Sequence, residues 1–161
     1  MKFSIKILSH AELKQHLQST PSFTGLLKIP SGSTLKMLYT AQGVYRTDFI
    51  AEDNAELSTI PFLTENDIHT LLLVGTPFQQ KVWQAALHIP TGQVISYQGL
   101  ARMINHPAAS RAVGTALGAN PLIYFVPCHR IVRSDGSLGG FGAGLPLKKA
   151  LLEAETLCSK K

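Results

Sequence analysis

Cysteine is nearly absent from this chain, and so is basic charge through its middle. Cys128 and Cys158 are its two cysteines. They form neither a CxxC pair nor a zinc-ligand spacing, and Cys158 opens the polar tail Cys158-Ser159-Lys160-Lys161. A disulfide scaffold and a structural zinc site are therefore not expected. Apolar runs such as Leu71–Val74 stop far short of a bilayer's thickness. Met1-Lys2-Phe3-Ser4-Ile5-Lys6 lacks the unbroken apolar stretch of a signal peptide. A reduced, cytoplasmic setting is expected, in which Cys128 is available as a thiol. Between Arg46 and Lys81 there is no lysine or arginine, whereas Asp48, Glu52, Asp53, Glu56, Glu65 and Asp67 all fall there. Residues 1–75 carry six Lys/Arg against seven Asp/Glu (6 − 7 = −1), and residues 76–161 carry nine against three (9 − 3 = +6). Two readings fit: a C-terminal half that meets a polyanion, or an ordinary surface with uneven charge.

At 161 residues, 45% hydrophobic and 16% charged, the chain is globular and forms one ordinary domain or two small ones. Thr34–Tyr39 and Val44–Ile50, separated by Ala41-Gln42-Gly43, read as a β-hairpin, and Phe23–Ile29 as a further strand. Ala11–Gln18 reads as a short helix. The character changes near residue 76. Pro77 suits the first turn of a helix over Pro77–His88, whose Phe78, Val82, Ala85 and Ala86 share a face. Val94-Ile95 is a short extended piece, and Ser96 is an N-cap for Tyr97–Ile104. After the turn Asn105-His106-Pro107, a helix over Ala108–Leu117 completes a helix-turn-helix pattern. That helix is built largely of Ala, Ser, Thr and Gly, which suits either close helix packing or insertion into a DNA groove. Asn120 precedes Pro121 and leaves helical geometry. Ile123–Val126 reads as a buried strand leading to Pro127-Cys128-His129-Arg130. A glycine-rich loop with Gly136, Gly139, Gly140, Gly142 and Gly144 follows, and Pro146 opens a last helix.

Cys128 is the nucleophile candidate, because a rigid proline precedes it and His129 and Arg130 follow. Such neighbours lower a thiol's pKa and populate the thiolate. Adjacent side chains rarely face each other in extended chain, so a proton hand-off from Cys128 to His129 needs a turn or a bridging water.

The blocks Thr76-Pro77-Phe78-Gln79, Val82-Trp83, Gly92–Tyr97, Ser110-Arg111-Ala112-Val113-Gly114, Gly118-Ala119-Asn120-Pro121 and Pro127–Val132 stand in order. Gly139–Leu145 and Leu151–Glu155 follow them. Over residues 76–161 the chain thereby resembles the O6-alkylguanine-DNA alkyltransferases. The resemblance implies an α/β (α+β) protein: a reduced, β-rich, ribonuclease H-like domain at 1–75, then a helical, winged helix-turn-helix domain at 76–161. It further implies a single-turnover transfer of an alkyl group from O6-alkylguanine in duplex DNA to Cys128 after base flipping, and leaves O4-alkylthymine open as a second substrate.

In that scheme His129 activates Cys128 through water, Glu155 orients the imidazole, and Asn120 orders the turn that presents the sulfur. Tyr97 crowds a phosphate and donates a hydrogen bond to the flipped base. The carbonyls of Cys128 and Ile131 and the amide of Gly142 read the guanine edge. Ser110, Arg111 and Gly114 lie on the DNA, with Arg111 filling the space left in the base stack. No metal or organic cofactor is expected. Some relatives bind zinc through N-terminal cysteines, and residues 1–75 contain none. Ile123 stands where some relatives carry proline, which bears on tolerance of bulky alkyl groups. Double-stranded DNA is the expected partner of a cytoplasmic monomer, with no membrane and no obligate protein partner. The alternatives are a non-catalytic binder of alkylated DNA using the same helix-turn-helix, and a cysteine hydrolase built on Cys128 and His129.

Overall fold

The computed structural model describes residues 4–50, 61, 63–64 and 67–158. The chain is a mixed α/β protein that divides into two compact units, Met1–Thr76 with Pro121–Ile123, and Pro77–Asn120 with Tyr124–Lys161.

In the first unit β1 (Ser4–Leu8), α1 (His10–Ser19), β2 (Phe23–Lys28), β3 (Thr34–Thr40), β4 (Gly43–Ile50) and β5 (Thr70–Val74) build a five-stranded sheet ordered β1-β5-β4-β3-β2. Strands β2, β3 and β4 are antiparallel, whereas β5 runs parallel to both β4 and β1. Strand β5 has parallel neighbours on both edges, and its Leu71, Leu72, Leu73 and Val74 are all buried, as in parallel sheets covered on both faces. The β3–β4 turn comprises Ala41 and Gln42, since Thr40 pairs with Gly43. Gly43 has φ 143°, and a Cβ there would lie 2.5 Å from the Thr70 carbonyl oxygen, so only glycine lets β5 approach. Helix α1 begins in a capping box: the Ser9 hydroxyl accepts from the Glu12 amide, and the Ser9 amide donates back to the Glu12 carboxylate. The stretch 51–60, with Glu52, Asp53 and Glu56 of the acidic run, and residue Glu65 lie outside the described residues.

The second unit contains α2 (Pro77–Leu87), α3 (Tyr97–Met103), α4 (Ser110–Gly118), α5 (Leu145–Cys158) and a parallel strand pair, β6 (Ile95–Ser96) with β7 (Ile131–Val132). Ser96 caps α3 by accepting from the Gly99 amide. Helix α4 packs on α2 and α3 through Val113, Ala116 and Leu117. Trp83, 1% exposed, sits at the centre, and its indole N–H donates to the Ala116 carbonyl at 2.8 Å. A buried indole needs that partner.

One expected element is corrected. Ile123–Val126 is not a strand: Tyr124 has φ 80°, a value no strand residue adopts, and the backbone turns there. The preceding Pro121–Ile123 joins the first unit instead, where the Thr47 amide donates to the Pro121 carbonyl and the Thr47 hydroxyl to the Ile123 carbonyl. Among the described residues no helix is long and apolar enough to cross a membrane.

Trp83→Ala removes the largest core side chain of the second unit together with its hydrogen bond. We expect a loss of about 3–5 kcal/mol of stability, read from the midpoint of urea unfolding.

Candidate active site

Cys128 opens a short 3-10 turn over Cys128–Arg130, set up by Pro127 and by a bond from the Cys128 amide to the Val126 carbonyl at 2.8 Å. The turn separates two neighbours that extended chain would also have kept apart. Cys128 lines a pocket of about 150 Å³, and His129 points the other way, toward α5. The remaining pocket wall is Tyr97, Gly114, Leu117, Gly118, Gly140, Phe141 and Gly142.

Cys128 is a free cysteine, 8% exposed. The Asn120 side-chain amide donates both to its sulfur at 3.4 Å and to the Val126 carbonyl at 3.1 Å, so one buried group holds the sulfur and the turn beneath it. Burial pushes the Cys128 thiol above its ordinary value, and the Asn120 hydrogen bond and the Lys148 charge only partly offset this. The expectation of a resting thiolate is thus corrected. Charged sulfur in a nearly closed apolar pocket loses more hydration than one amide and one ammonium return.

His129 is fully buried, and its Nε2 lies 2.8 Å from Glu155 Oε1 on α5. Glu155 also accepts from Arg130 Nε at 3.0 Å and Nη2 at 2.7 Å, and from the Gly92 amide at 3.3 Å. Arg130 in turn donates to the Ile89 carbonyl and the Thr91 hydroxyl. Burial alone would raise the Glu155 carboxyl, but the His129 and Arg130 hydrogen bonds outweigh it and bring the pKa down to about 2. An ionised carboxylate has no proton to give, so Nε2 must carry one. In the neutral ring, Nδ1 is then the acceptor. Nδ1 is buried without a hydrogen-bond partner among the described residues.

Lys148 was not singled out by the sequence, where it reads as one of two adjacent lysines on an amphipathic helix. It is fully buried. Its ammonium donates to the carbonyls of Ile131 at 2.6 Å, Gly140 at 3.3 Å, and Leu138, which ties the glycine-rich loop to β7. Burial lowers its pKa to about 8. The Ile131 carbonyl, expected to read a guanine edge, therefore already accepts one strong hydrogen bond, and Ile131 does not line the pocket.

Tyr97 is wedged between α4 and that loop. A Cβ on Gly139, which has φ 66°, would meet the Tyr97 ring at 2.9 Å, and one on Gly114 at 3.7 Å. The Tyr97 hydroxyl donates to the Gly140 carbonyl at 3.3 Å, and burial raises its pKa. Gly142 opens onto free space. Cys128, Tyr97, Gly114 and Gly142 thus meet at one cavity. Asn120, His129 and Glu155 stand behind its sulfur, while Ser110 and the exposed Arg111 lie outside it, at the start of α4. The exposed side of α4 is Arg111, Ala112, Thr115 and Gly118, so its small residues largely face outward rather than into the helix packing.

Residues 77–157 match the model of the 6-O-methylguanine DNA methyltransferase family, DNA-binding domain. That stretch is half of the chain and contains every site residue named above. The chain belongs to this family. Its similarity to the methylated-DNA–protein-cysteine methyltransferase of Mycobacterium tuberculosis (strain ATCC 25618 / H37Rv) is 52% identity over 93 residues, 58% of this chain and 56% of that protein. The chain thus spans about half the length of the curated relatives it matches. It is also similar in structure to the Mycobacterium tuberculosis O6-methylguanine methyltransferase (32% identity, TM-score 0.68, 85% of this chain and 94% of that one). For the crystal structure of Mycobacterium tuberculosis OGT in complex with DNA the figures are 34% identity, TM-score 0.68, and 84% and 93%. Family membership accounts for the shared blocks; the chemistry of the pocket has to come from its own atoms.

Two outcomes are expected of this site. Titrating the Cys128 thiolate by its ultraviolet absorbance, with Cys158→Ser as background, gives a midpoint above that of an ordinary cysteine, and Lys148→Met moves it higher still. The Glu155 carboxyl is depressed on folding, so it stabilises the fold above its unfolded value of 4.5 and loses that contribution as the pH falls toward about 2. Unfolding free energies from denaturant curves should therefore fall, between about pH 7 and about pH 3, by about 2 kcal/mol more for the parent than for Glu155→Gln.

Proposed function

We propose that this chain takes an alkyl group from O6 of a guanine in duplex DNA and keeps it permanently on Cys128. The observation that carries this reading is the arrangement of a pocket-lining sulfur backed by a buried His129 that is paired with Glu155 and whose second imidazole nitrogen is an acceptor. The relatives' names, and the complex of one of them with DNA, support it.

Because burial keeps the resting sulfur protonated, attack requires the proton to leave as substrate enters. A water between Sγ and Nδ1 relays it to His129, and Glu155 stabilises the imidazolium that forms. The sulfur attacks the alkyl carbon, the C–O6 bond breaks, and its electron pair leaves on the purine. The Tyr97 hydroxyl exchanges the Gly140 carbonyl for the extruded base and supplies the hydrogen bond that the purine anion needs. Asn120 holds the sulfur and its turn in place. The Cys128 and Ile131 carbonyls and the Gly142 amide read the guanine edge. A thioether has no good leaving group, so the protein acts once and needs neither metal nor organic cofactor.

Helices α3 and α4 serve as the helix-turn-helix of a winged domain, and the first unit as a reduced ribonuclease H-like domain. The outward small residues of α4, with Ser110 and Gly114, let it seat in the minor groove, and Arg111 fills the stack after base flipping. The protein acts in this reading as a cytoplasmic monomer without a protein partner.

Excess duplex containing O6-methylguanine should raise the protein mass by one CH2, located on the Cys128 peptide. Cys128→Ala should abolish this. Arg111→Ala should slow repair of duplex substrate by about 10- to 100-fold through impaired flipping, with less effect on free O6-methylguanine base. An unchanged wild-type mass with tight binding to the damaged duplex would turn the reading toward a non-catalytic binder.

A further inference from the structure

Tyr124 is an anomaly that the reaction described above does not use. Its φ is 80°, a region that bulky side chains rarely enter; among the described residues the other non-glycine at positive φ, Asn105, is of a type that tolerates it. Strain of this kind persists where the surroundings impose it, and it gathers at functional sites. Here it has a visible consequence. Positive φ swings the Cβ to the side of the backbone that an extended residue would leave empty, and the Tyr124 ring ends parallel to the His129 imidazole, with an interplanar angle of 11° and centroids 6.5 Å apart. Phe125 braces the tyrosine edge-on, with centroids 5.6 Å apart.

We propose that Tyr124 is a positioning residue for His129, with its strained backbone serving to lay an aromatic plate against the imidazole. This rests on the assignment of His129 as the proton acceptor. The division of labour follows from symmetry. Rotation of the imidazole by half a turn about Cβ–Cγ leaves its plane unchanged, so a stacked ring cannot choose between the two flips. The hydrogen bond to Glu155 makes that choice. Conversely, one hydrogen bond at Nε2 leaves the ring free to rock about the axis through it, which would swing Nδ1 away from the position that the proposed relay requires. The stack suppresses that rocking. Glu155 and Tyr124 together fix the direction of the Nδ1 lone pair, whereas either alone leaves one degree of freedom.

Three variants separate this role from ordinary packing. Tyr124→Phe keeps the plate. Tyr124→Asn removes it while suiting positive φ better than tyrosine does, and Tyr124→Leu fills the space without a flat face. For each, the rate of methyl transfer from an O6-methylguanine duplex, the affinity of the same duplex for a Cys128→Ser background, and the thermal midpoint are measured. Tyr124→Phe should transfer within about two-fold of the parent, whereas Tyr124→Asn and Tyr124→Leu should slow transfer by about ten-fold or more, a usual consequence of misplacing a reacting group. Duplex affinity should stay within about two-fold throughout, and relief of strain should leave the thermal midpoint of Tyr124→Asn at or above what the lost packing alone predicts. In nitrogen-detected NMR spectra, the His129 Nε2–H signal should broaden in Tyr124→Asn and Tyr124→Leu but not in Tyr124→Phe. Wild-type transfer rates in Tyr124→Asn or Tyr124→Leu, slow transfer in Tyr124→Phe, or losses that track affinity or thermal midpoint would overturn the proposal. A parent protein that transfers nothing removes the reading beneath it and the proposal together; an active parent with equally active Tyr124→Asn removes the proposal alone.

Discussion

The Glu155 carboxylate is the constraint on which the second unit's site depends. It takes hydrogen bonds from His129, from two nitrogens of Arg130 and from the Gly92 amide, while Arg130 reaches on to Ile89 and Thr91. One half-buried negative charge therefore ties α5 to the segment that carries the cysteine and to the turn after α2. A carboxylate in that position is unfavourable without partners, and its partners are unfavourable without it. Their mutual need orients the imidazole more firmly than packing alone could, and it sets the tautomer at the same time. Among the described residues Nδ1 has no hydrogen-bond partner, and in the neutral ring it is the imidazole's proton-accepting nitrogen.

Lys148 performs a comparable task on the other side of the sulfur. The carbonyls of Leu138 and Gly140 come from a loop too rich in glycine to hold its own shape, and a single buried ammonium gathers them to the Ile131 carbonyl of β7. Because glycine at 139 is what admits the Tyr97 ring, the loop's flexibility is a requirement of the pocket, and the lysine offsets the disorder that such a loop invites. The same charge lies near enough to Cys128 to favour its ionised form, although burial remains the larger effect. In the proposed reaction this keeps the thiol unreactive toward stray electrophiles until a base fills the pocket and the relay through His129 is complete.

Much of the architecture was legible in the residue pattern. Pro77 at a helix start, Ser96 as a cap, and the hairpin over 34–50 are each decided by neighbours within a few positions, and each was found where expected within a residue or two. Strands β1 and β5 were not foreseen. The exposed residues of β1 include its apolar Ile5 and Ile7, so its alternation points away from the core, and Leu71–Val74 is too short for periodicity to separate strand from helix. Their parallel pairing joins residues 66 positions apart, which no local pattern encodes. Ile123–Val126 was misread for the converse reason: an apolar run looks like a strand, and only the strained φ of Tyr124 shows that it turns.

The sequence by itself determined which atoms are available: one internal cysteine, a histidine beside it, a glutamate on the last helix, and a small-residue helix bearing one arginine. Their chemistry is intrinsic to the side chains, and their order along the chain is shared by a family. Tertiary structure decided their states. It buried the sulfur and so kept it protonated, turned His129 away from Cys128 and toward Glu155, and made Lys148 an internal brace rather than a surface charge. These are properties of solvation and direction, which depend on what surrounds a group in space, and residues distant in the chain supply those surroundings.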